Sequence, residues 1–270
     1  MVTMRKINGY LFIPYILWML LFVVIPVILL IYFSMIDIHG HFNLDNYKQI
    51  MTTKYFRMIW DSIMYATAIT IMTLCISYPA AYFIRISKYQ SLWLLILIIP
   101  TWINLLLKTY AFIGLFSHDG IINRILYGLH LPKLELLFTV PAFLIVASYI
   151  YIPFMILPIF NSMKDIPNNL LQASSDLGAS RLIIFRKVIA PLTKRGVLTG
   201  VQVTFIPALS LFMITRLIAG NKVINMGTAI EEQFLVIQNY GMGSTIALFL
   251  ILFMAFVLII TNTKNTIVKG

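Results

Sequence analysis

Apolar residues in this chain come in long runs separated by short polar stretches. Crossing the hydrocarbon of a bilayer takes about 20 of them in succession. Six segments reach that length: Leu11 to Phe33, Ile59 to Ile84, Leu92 to Phe116, Leu136 to Phe160, Val197 to Ala219 and Met242 to Ile260. The pattern predicts an all-α, polytopic integral membrane protein with about six transmembrane helices, and an even number leaves both termini on one side. Arg5 and Lys6 precede the first run as the n-region of a signal peptide would. That run exceeds the roughly 7–15 residues of an h-region and no A-x-A site follows it, so it reads as an uncleaved first helix. Three connections on one side are longer, Ser34 to Met58, Ser117 to Glu135 and Gly220 to Gly241, and each has room for a short interfacial or re-entrant helix. Prolines fall within the spans at Pro14, Pro26, Pro79, Pro100, Pro141, Pro153 and Pro207. Kinks are expected there, serving either as a gate or as static bends that improve packing.

Composition agrees with this reading. Of the 270 residues 60% are hydrophobic and 11% charged, against roughly 25% charged in a soluble domain. A net charge of +11 would suit nucleic acid, but the bases are scattered between apolar runs rather than gathered on one polar domain, so no nucleic-acid partner is expected. Topology accounts for them. With the N-terminus in the cytoplasm, twelve of the 20 Lys and Arg fall inside, whereas only two of the nine acidic residues, Asp165 and Asp176, do. The bias of Lys and Arg sets an N-in, C-in orientation, with Arg5, Lys6, Arg85, Lys88, Lys164, Lys264 and Lys269 among the inside bases.

Several chemistries are absent from the sequence. The single cysteine, Cys75, excludes a disulfide framework and a cysteine zinc site, and its apolar neighbours predict a small buried residue. His39, His41, His118 and His130 all fall in the outer connections without the i, i+4 spacing of a helical metal site. No G-x-x-x-x-G-K-[ST] loop cradles a nucleotide, and no serine or cysteine nucleophile has a base beside it. The chain is read as neither an enzyme nor an ATPase, with no catalytic residue, metal or cofactor of its own, so the energy for any transport comes from elsewhere.

Two regions carry polar groups where the apolar pattern does not require them. The first is Asn169 to Gly200, NLLQASSDLGASRLIIFRKVIAPLTKRGVLTG, the densest basic cluster, set between two spans. Leu170 to Leu177 fits a short helix, Gly178 a turn, and Ser180 the cap of a second helix reaching Ala190 before Pro191. Such a helix-turn-helix is a projection that a soluble partner can grip, with small residues at Ala173, Ser174 and Ala179 and hydrogen-bonding groups at Gln172 and Asp176. Lys187, Lys194 and Arg195 alternatively meet anionic lipid. Gly196-x-x-x-Gly200 then opens the fifth span as a close-packing motif. The second region is IIPTWINLLLKTYAF, with Trp102, Asn104, Lys108 and Tyr110 after Pro100. On a continuous helix Pro100, Asn104 and Lys108 form one stripe able to line a cavity, while Lys108 and Tyr110 also suit snorkelling anchors.

Gln172-Ala173-Ser174-x-Asp176-x-Gly178-Ala179, with Phe185 and Pro191-Leu192, resembles the cytoplasmic EAA loop of permease subunits in ATP-binding-cassette (ABC) importers. Gln172 stands where that family usually has Glu, and Arg195 where Pro often precedes the Gly. Pro100 to Ala111 is similar to the P-x-W-x-N-x-x-x-[RK]-x-Y-A pattern of spermidine and putrescine permeases of the PotB-like type. Phe205 to Leu235 is similar to a second stretch of the same family, through Pro207-Ala208-Leu209, Gly220, Lys222, Gly227, Ile230 and Gln233-Phe234-Leu235, with Arg216 where members often carry an acid. The resemblance implies a single transmembrane permease domain of the type I ABC importer fold over residues 1–270, with a coupling loop at about 161–195, in a bacterial cell membrane. It implies partners as well: ABC ATPase subunits that bind ATP and Mg, a homologous second permease subunit, an extracytoplasmic polyamine-binding protein and the lipid bilayer. A polycation favours carboxylates and aromatic faces. Asp61, Glu231 and Glu232, together with Trp60, Trp102, Asn104, Lys108 and Tyr110, are therefore the candidates for the path, the carboxylates serving equally to dock the binding protein. Phosphate, sulfate or iron remain alternative cargoes, and a gradient-driven transporter or channel would need an intramembrane carboxylate relay that the span centres lack.

Overall fold

The computed structural model describes residues 12–261, apart from the side chain of Asn221. Arg5, Lys6, Leu11, Lys264 and Lys269 lie outside the described residues. Among the described residues every regular element is helical, and the only paired extended backbone is the bridge between Ile36 and Phe42. Ile13–Ser34, Thr53–Ile86, Val140–Lys164 and Tyr240–Thr261 are long and apolar enough to cross a membrane. The stretch Leu105–Gly128 also has the length, but a turn at Ser117 to Gly120 divides it into Leu105–Phe116 and Ile121–Gly128.

The contacts divide the chain into two compact units, Met1–Phe56 with Ala229–Leu252, and Arg57–Thr228 with Phe253–Gly270. In the first unit a polar cluster gathers at the end of Ile13–Ser34. The buried Asn46 amide, on the short helix Asp45–Ile50, donates to the carbonyls of Ser34 (3.2 Å) and Ile36 (2.8 Å). The Ser34 hydroxyl meets the Tyr47 hydroxyl at 2.6 Å. Gly241 packs so closely here that a Cβ would overlap the Ile36 carbonyl.

The second unit is built around Val140–Lys164, which buries thirteen of its 25 residues. Besides Thr70, Thr53–Ile86 buries one narrow stripe, Met58, Ser62, Ala66, Ile69, Thr73, Ser77, Ala81 and Ile84, spaced three and four apart; Thr73 and Ser77 reach carbonyls of Val140–Lys164 at 3.5 Å, whereas Ser62 accepts from the Met226 N–H at 2.8 Å. The hydroxyls of Ser62 and Thr73 also bond carbonyls four residues back at 2.8 and 2.7 Å. Cys75 lies off the stripe and is exposed, not buried as its apolar neighbours suggested. In a membrane protein apolar side chains also face outward, so hydropathy does not assign the inside. On the other side, Lys194–Leu209 seats its glycines against the same helix. An ideal Cβ at Gly196 would stand 2.5 Å from the Pro158 carbonyl oxygen, and one at Gly200 2.6 Å from Met155 Sδ. The close-packing reading of Gly196-x-x-x-Gly200 is borne out.

The third and fifth apolar runs are broken where continuous helices were expected. The third consists of Gln90–Ile98, a 3-10 turn Ile99–Trp102, and a restart at Leu105–Phe116. Ile103 and Asn104 are extended between them (ψ 134° and 139°). The fifth ends its α-helix at Leu209 and resumes as a π-turn, Thr215–Ala219. Buried Asn225 completes this second break, its amide donating to the Leu211 carbonyl at 2.8 Å and to Thr215 Oγ1 at 3.1 Å. Broken backbone at membrane depth persists only where its freed polar groups are satisfied in this way. Gly227 is required beside it, because a Cβ there would overlap the Ser210 carbonyl.

The prolines act according to position. Pro14 and Pro141 sit in first turns, where a missing N–H costs nothing. Pro26 and Pro191 each follow a π-turn, Leu20–Val24 and Phe185–Ile189, in which the residue before proline donates five positions back. The wider turn makes room for the ring. For that reason Pro191 does not end its helix, as the sequence suggested; the helix runs on through Ala190–Leu192.

Candidate functional site

Asn168–Asp176 begins after Asp165 to Pro167, directly beyond the end of Val140–Lys164, and none of its nine residues is buried. Leu171 alone faces the cluster formed by Ile84, Phe160, Met163 and Ile189. Gly178 has φ +77° with nothing within 4 Å of an added Cβ, so glycine is needed there for backbone reasons only. The turn closes through Gly178 N–H donating to the Ser175 carbonyl (2.9 Å) and Ala179 N–H to that of Ser174 (3.2 Å). Ser180 Oγ caps the next helix by accepting from the Ile183 N–H at 3.4 Å.

Gln172, Ala173, Asp176 and Gly178 are exposed, and Ser174 and Ala179 half-buried. The sequence-predicted cluster is thus brought together on one hairpin. Ser174 turns its hydroxyl back to the Leu170 carbonyl (2.8 Å), leaving a smooth, small surface. In the turn stands Leu177, 89% exposed, and Leu182 and Ile183 of the next helix are exposed as well. Sequence reasoning missed this apolar knob; an unpaired leucine in the turn Asp176-Leu177-Gly178 was the available signal.

The hairpin is tied to the membrane helices by two devices. Phe185 lies edge-on to Tyr78 (5.6 Å) and Tyr82 (5.8 Å) of Thr53–Ile86, and the Tyr78 hydroxyl meets Thr193 Oγ1 at 2.8 Å. Arg85, also missed except as a topology charge, donates through Nε to the Met163 carbonyl (2.7 Å) and through Nη2 to that of Ile166 (3.0 Å). These carbonyls end one helix and lead into the next, so the guanidinium fork grips the joint.

The break at Ile103 to Asn104 changes the second candidate cluster. Asn104 caps the restarted helix, its Oδ1 accepting from the Leu106 N–H at 2.8 Å. Pro100 and Asn104 therefore do not lie on one helical stripe, contrary to the expectation of a continuous helix, because the backbone between them is extended. Trp102 is 78% exposed and Asn104 and Tyr110 are also exposed. Lys108 alone enters a cleft of about 330 Å³, with Pro100, Thr101, Tyr149 and Pro153 among its other lining residues. Asp61 is half-buried and does not line that cleft. Glu231 and Glu232, half-buried as well, fall where Met226–Glu231 passes into a π-turn.

Each of the three longer connections carries a short helix, as its length suggested: Asp45–Ile50, Ile121–Gly128 and Met226–Glu231. Beside Ile121–Gly128, Lys133 Nζ meets Asp119 Oδ1 at 2.8 Å. The hydrogen bond from Lys133, its charge and neighbouring His118 hold the Asp119 carboxyl below its usual range. His39, His41, His118 and His130 all lie in these connections.

No family model matches the chain. It is 30% identical over 262 residues to the spermidine/putrescine transport system permease protein PotB of Haemophilus influenzae, covering 93% of this chain and 92% of that protein. It is 32% identical over 253 residues to PotB of Escherichia coli K12, covering 90% and 92%. Among solved structures, a chain of a bacterial alginate ABC transporter, in complex with a periplasmic protein bound to alginate pentasaccharide, superposes with a TM-score of 0.80 over 94% of this chain and 92% of that one. Their sequence identity is 15%, so this likeness concerns the fold.

Proposed function

The chain belongs to the PotB family of spermidine/putrescine transport permeases, and from that premise we propose that it is the membrane-spanning subunit of an ATP-driven importer for polyamines. The observation that carries the reading is the match along nine-tenths of both chains. The subunit lies in the bacterial cell membrane and pairs with a homologous second permease. Polyamine arrives from an extracytoplasmic binding protein, and ATP and Mg are bound by separate ATPase subunits. The whole chain acts as one permease domain.

Six crossings with both termini inside fit the distribution of basic residues. The fifth is Lys194–Leu209 continued by Thr215–Ala219. Sixteen residues rise about 24 Å, short of the ~30 Å hydrocarbon, so the second piece is needed. The hairpin at about 161–195 is the EAA-type coupling element. Gln172, Ala173, Ser174, Asp176, Gly178 and Ala179 form the face against the ATPase, and Leu177 is the knob that enters it. Along the path, Trp102 and Tyr110 supply aromatic faces, Asn104 a polar edge, and Asp61, Glu231 and Glu232 negative charge. Lys108 has the cargo's own sign.

The test is the complete assembly in proteoliposomes. Loaded binding protein is expected to stimulate ATP hydrolysis, and unlabelled spermidine or putrescine to compete with radiolabelled polyamine for uptake. Response to phosphate, sulfate or iron with none to any polyamine would overturn the cargo assignment. Uptake that persists without the ATPase would favour a gradient-driven carrier.

A further inference from the structure

Thr53–Ile86 and Val140–Lys164 meet the broken third segment at a cleft whose walls are almost wholly apolar, Phe83, Trp93, Ile96, Tyr149 and Pro153 among them. One charge enters it, the Lys108 ammonium. Among the described residues no group accepts a hydrogen bond from that ammonium and no carboxylate pairs with it. A cation held among apolar side chains at membrane depth is costly unless an anion or water reaches it. The rim residues Phe83, Ile96 and Tyr149 are exposed, so the mouth opens on an apolar surface that in a bilayer faces acyl chains. A polyamine is a poor occupant, since Lys108 repels it and the cleft presents no carboxylate.

We propose that this cleft binds one anionic phospholipid, its acyl chain along the walls and its phosphate drawn to Lys108. The site owes its shape to the helix break: the 3-10 turn Ile99–Trp102 and the extended Ile103 and Asn104 set Lys108 one turn into the restarted helix, beside the cleft rather than in line with Pro100. Charge complementarity selects the occupant. An ammonium among apolar walls suits a ligand that is itself an anion joined to a hydrocarbon. Bound there, the lipid would brace the break against Val140–Lys164, the helix that leads to the coupling hairpin. The lipid site stands whether or not the cargo is a polyamine.

The experiment uses the complete assembly in nanodiscs containing a phosphatidylglycerol with a photoactivatable acyl chain, or a phosphatidylcholine with the same chain. Labelled peptides are then mapped. Phosphatidylglycerol is expected to label segments 93–108 and 149–156, with phosphatidylcholine weaker by about tenfold, because its phosphate is already neutralised by its own choline cation, which Lys108 repels. Lys108→Met should lower the anionic probe to the neutral level, Lys108→Arg should keep it, and Ala80→Phe, which fills one wall, should lower both. Three results would overturn the proposal: equal labelling by the two probes, unchanged labelling in Lys108→Met, or suppression by spermidine. Crosslinking of Lys108 by carbodiimide to a carboxylate of the second permease would overturn it too. Since no arm reads transport, failure of the polyamine assignment leaves these outcomes unaffected.

Discussion

The contact between Lys194–Leu209 and Val140–Lys164 gives a quantitative test, because its two glycines meet different kinds of atom. At Gly196 an added Cβ would lie 2.5 Å from the Pro158 carbonyl oxygen, 2.5 Å from Ser162 Cβ and 3.2 Å from Ile159 Cα. Ordinary contact begins at 3.4 Å, so the helices must separate by about 0.9 Å. Backbone and a Cβ cannot rotate aside. At Gly200 the nearest atom is Met155 Sδ at 2.6 Å, the end of a flexible side chain, and the nearest backbone atom is the Met155 oxygen at 3.2 Å. Overpacking a well-filled contact costs about 1–3 kcal/mol. Gly196→Ala should fall near the upper end, about 2–3 kcal/mol, and Gly200→Ala at or below about 1 kcal/mol, because methionine repacks. Each is measured by titrating the purified complex from mild detergent into SDS and following tryptophan fluorescence. A Gly200→Ala cost equal to or above that of Gly196→Ala would refute the reasoning, as would a Gly196→Ala cost below about 0.5 kcal/mol.

Three further outcomes are expected. Gly178→Ala should weaken co-purification with the ATPase modestly, since a left-handed non-glycine residue costs roughly 1–2 kcal/mol, and Gly178→Pro should abolish it with membrane insertion intact; retained binding in the proline variant would count against the hairpin's role. Arg85→Lys keeps the topology charge but loses the fork across Met163 and Ile166, so the assembly should lose substrate-stimulated ATPase while both proteins still insert and assemble; wild-type stimulation would show that the grip is dispensable. Asn104→Ala should destabilise the restarted helix by about 1 kcal/mol, the usual value of a lost N-cap, whereas Asn104→Asp should retain most of it, as read by the same SDS titration; equal losses would deny the cap.

What the sequence made legible follows the physics of each signal. Span length is counted directly in apolar residues, so the first, second, fourth and sixth runs appear within a few positions of where they were expected. The hairpin was legible because Gly178 and Ser180 carry local instructions, a left-handed turn and a cap, that need no tertiary context. The breaks in the third and fifth runs were hidden, since Ile103 and Leu211 are as apolar as their neighbours and hydropathy does not register backbone direction. Asn104 carries the clue, as an N-cap residue immediately before a new apolar stretch, but a continuous apolar run makes it look like a lining group on one helix. Burial was hidden for a related reason. Ile13–Ser34 is strongly apolar with none of its spanning window buried, while Val140–Lys164 has 61% of its window buried. Lipid and protein interior reward the same side chains, and Cys75 was misplaced on that account.

The placement of the two breaks bears on how motion at the hairpin would reach the path. Thr53–Ile86 and Lys194–Leu209 are tied to Val140–Lys164, the first by Arg85 and by Ala81 and Ile84 in the cluster with Met155 and Ile159, the second by Gly196 and Gly200. A displacement of Asn168–Asp176 therefore enters three helices as one body, not a loose loop. The break at Ile103 to Asn104 and the break at Ser210 to Phe212 each follow a helix that begins at the hairpin end of that body. Leu105–Phe116 and Thr215–Ala219, beyond the breaks, are joined to it through non-helical residues, which hold helix direction less firmly than a continuous helix does. On the proposed reading this separates the transport cycle into a stiff inner lever and two outer segments that reorient upon it. Asn104, as cap, satisfies the Leu106 N–H at one break, and the Asn225 clasp on Leu211 and Thr215 satisfies the Leu211 carbonyl at the other.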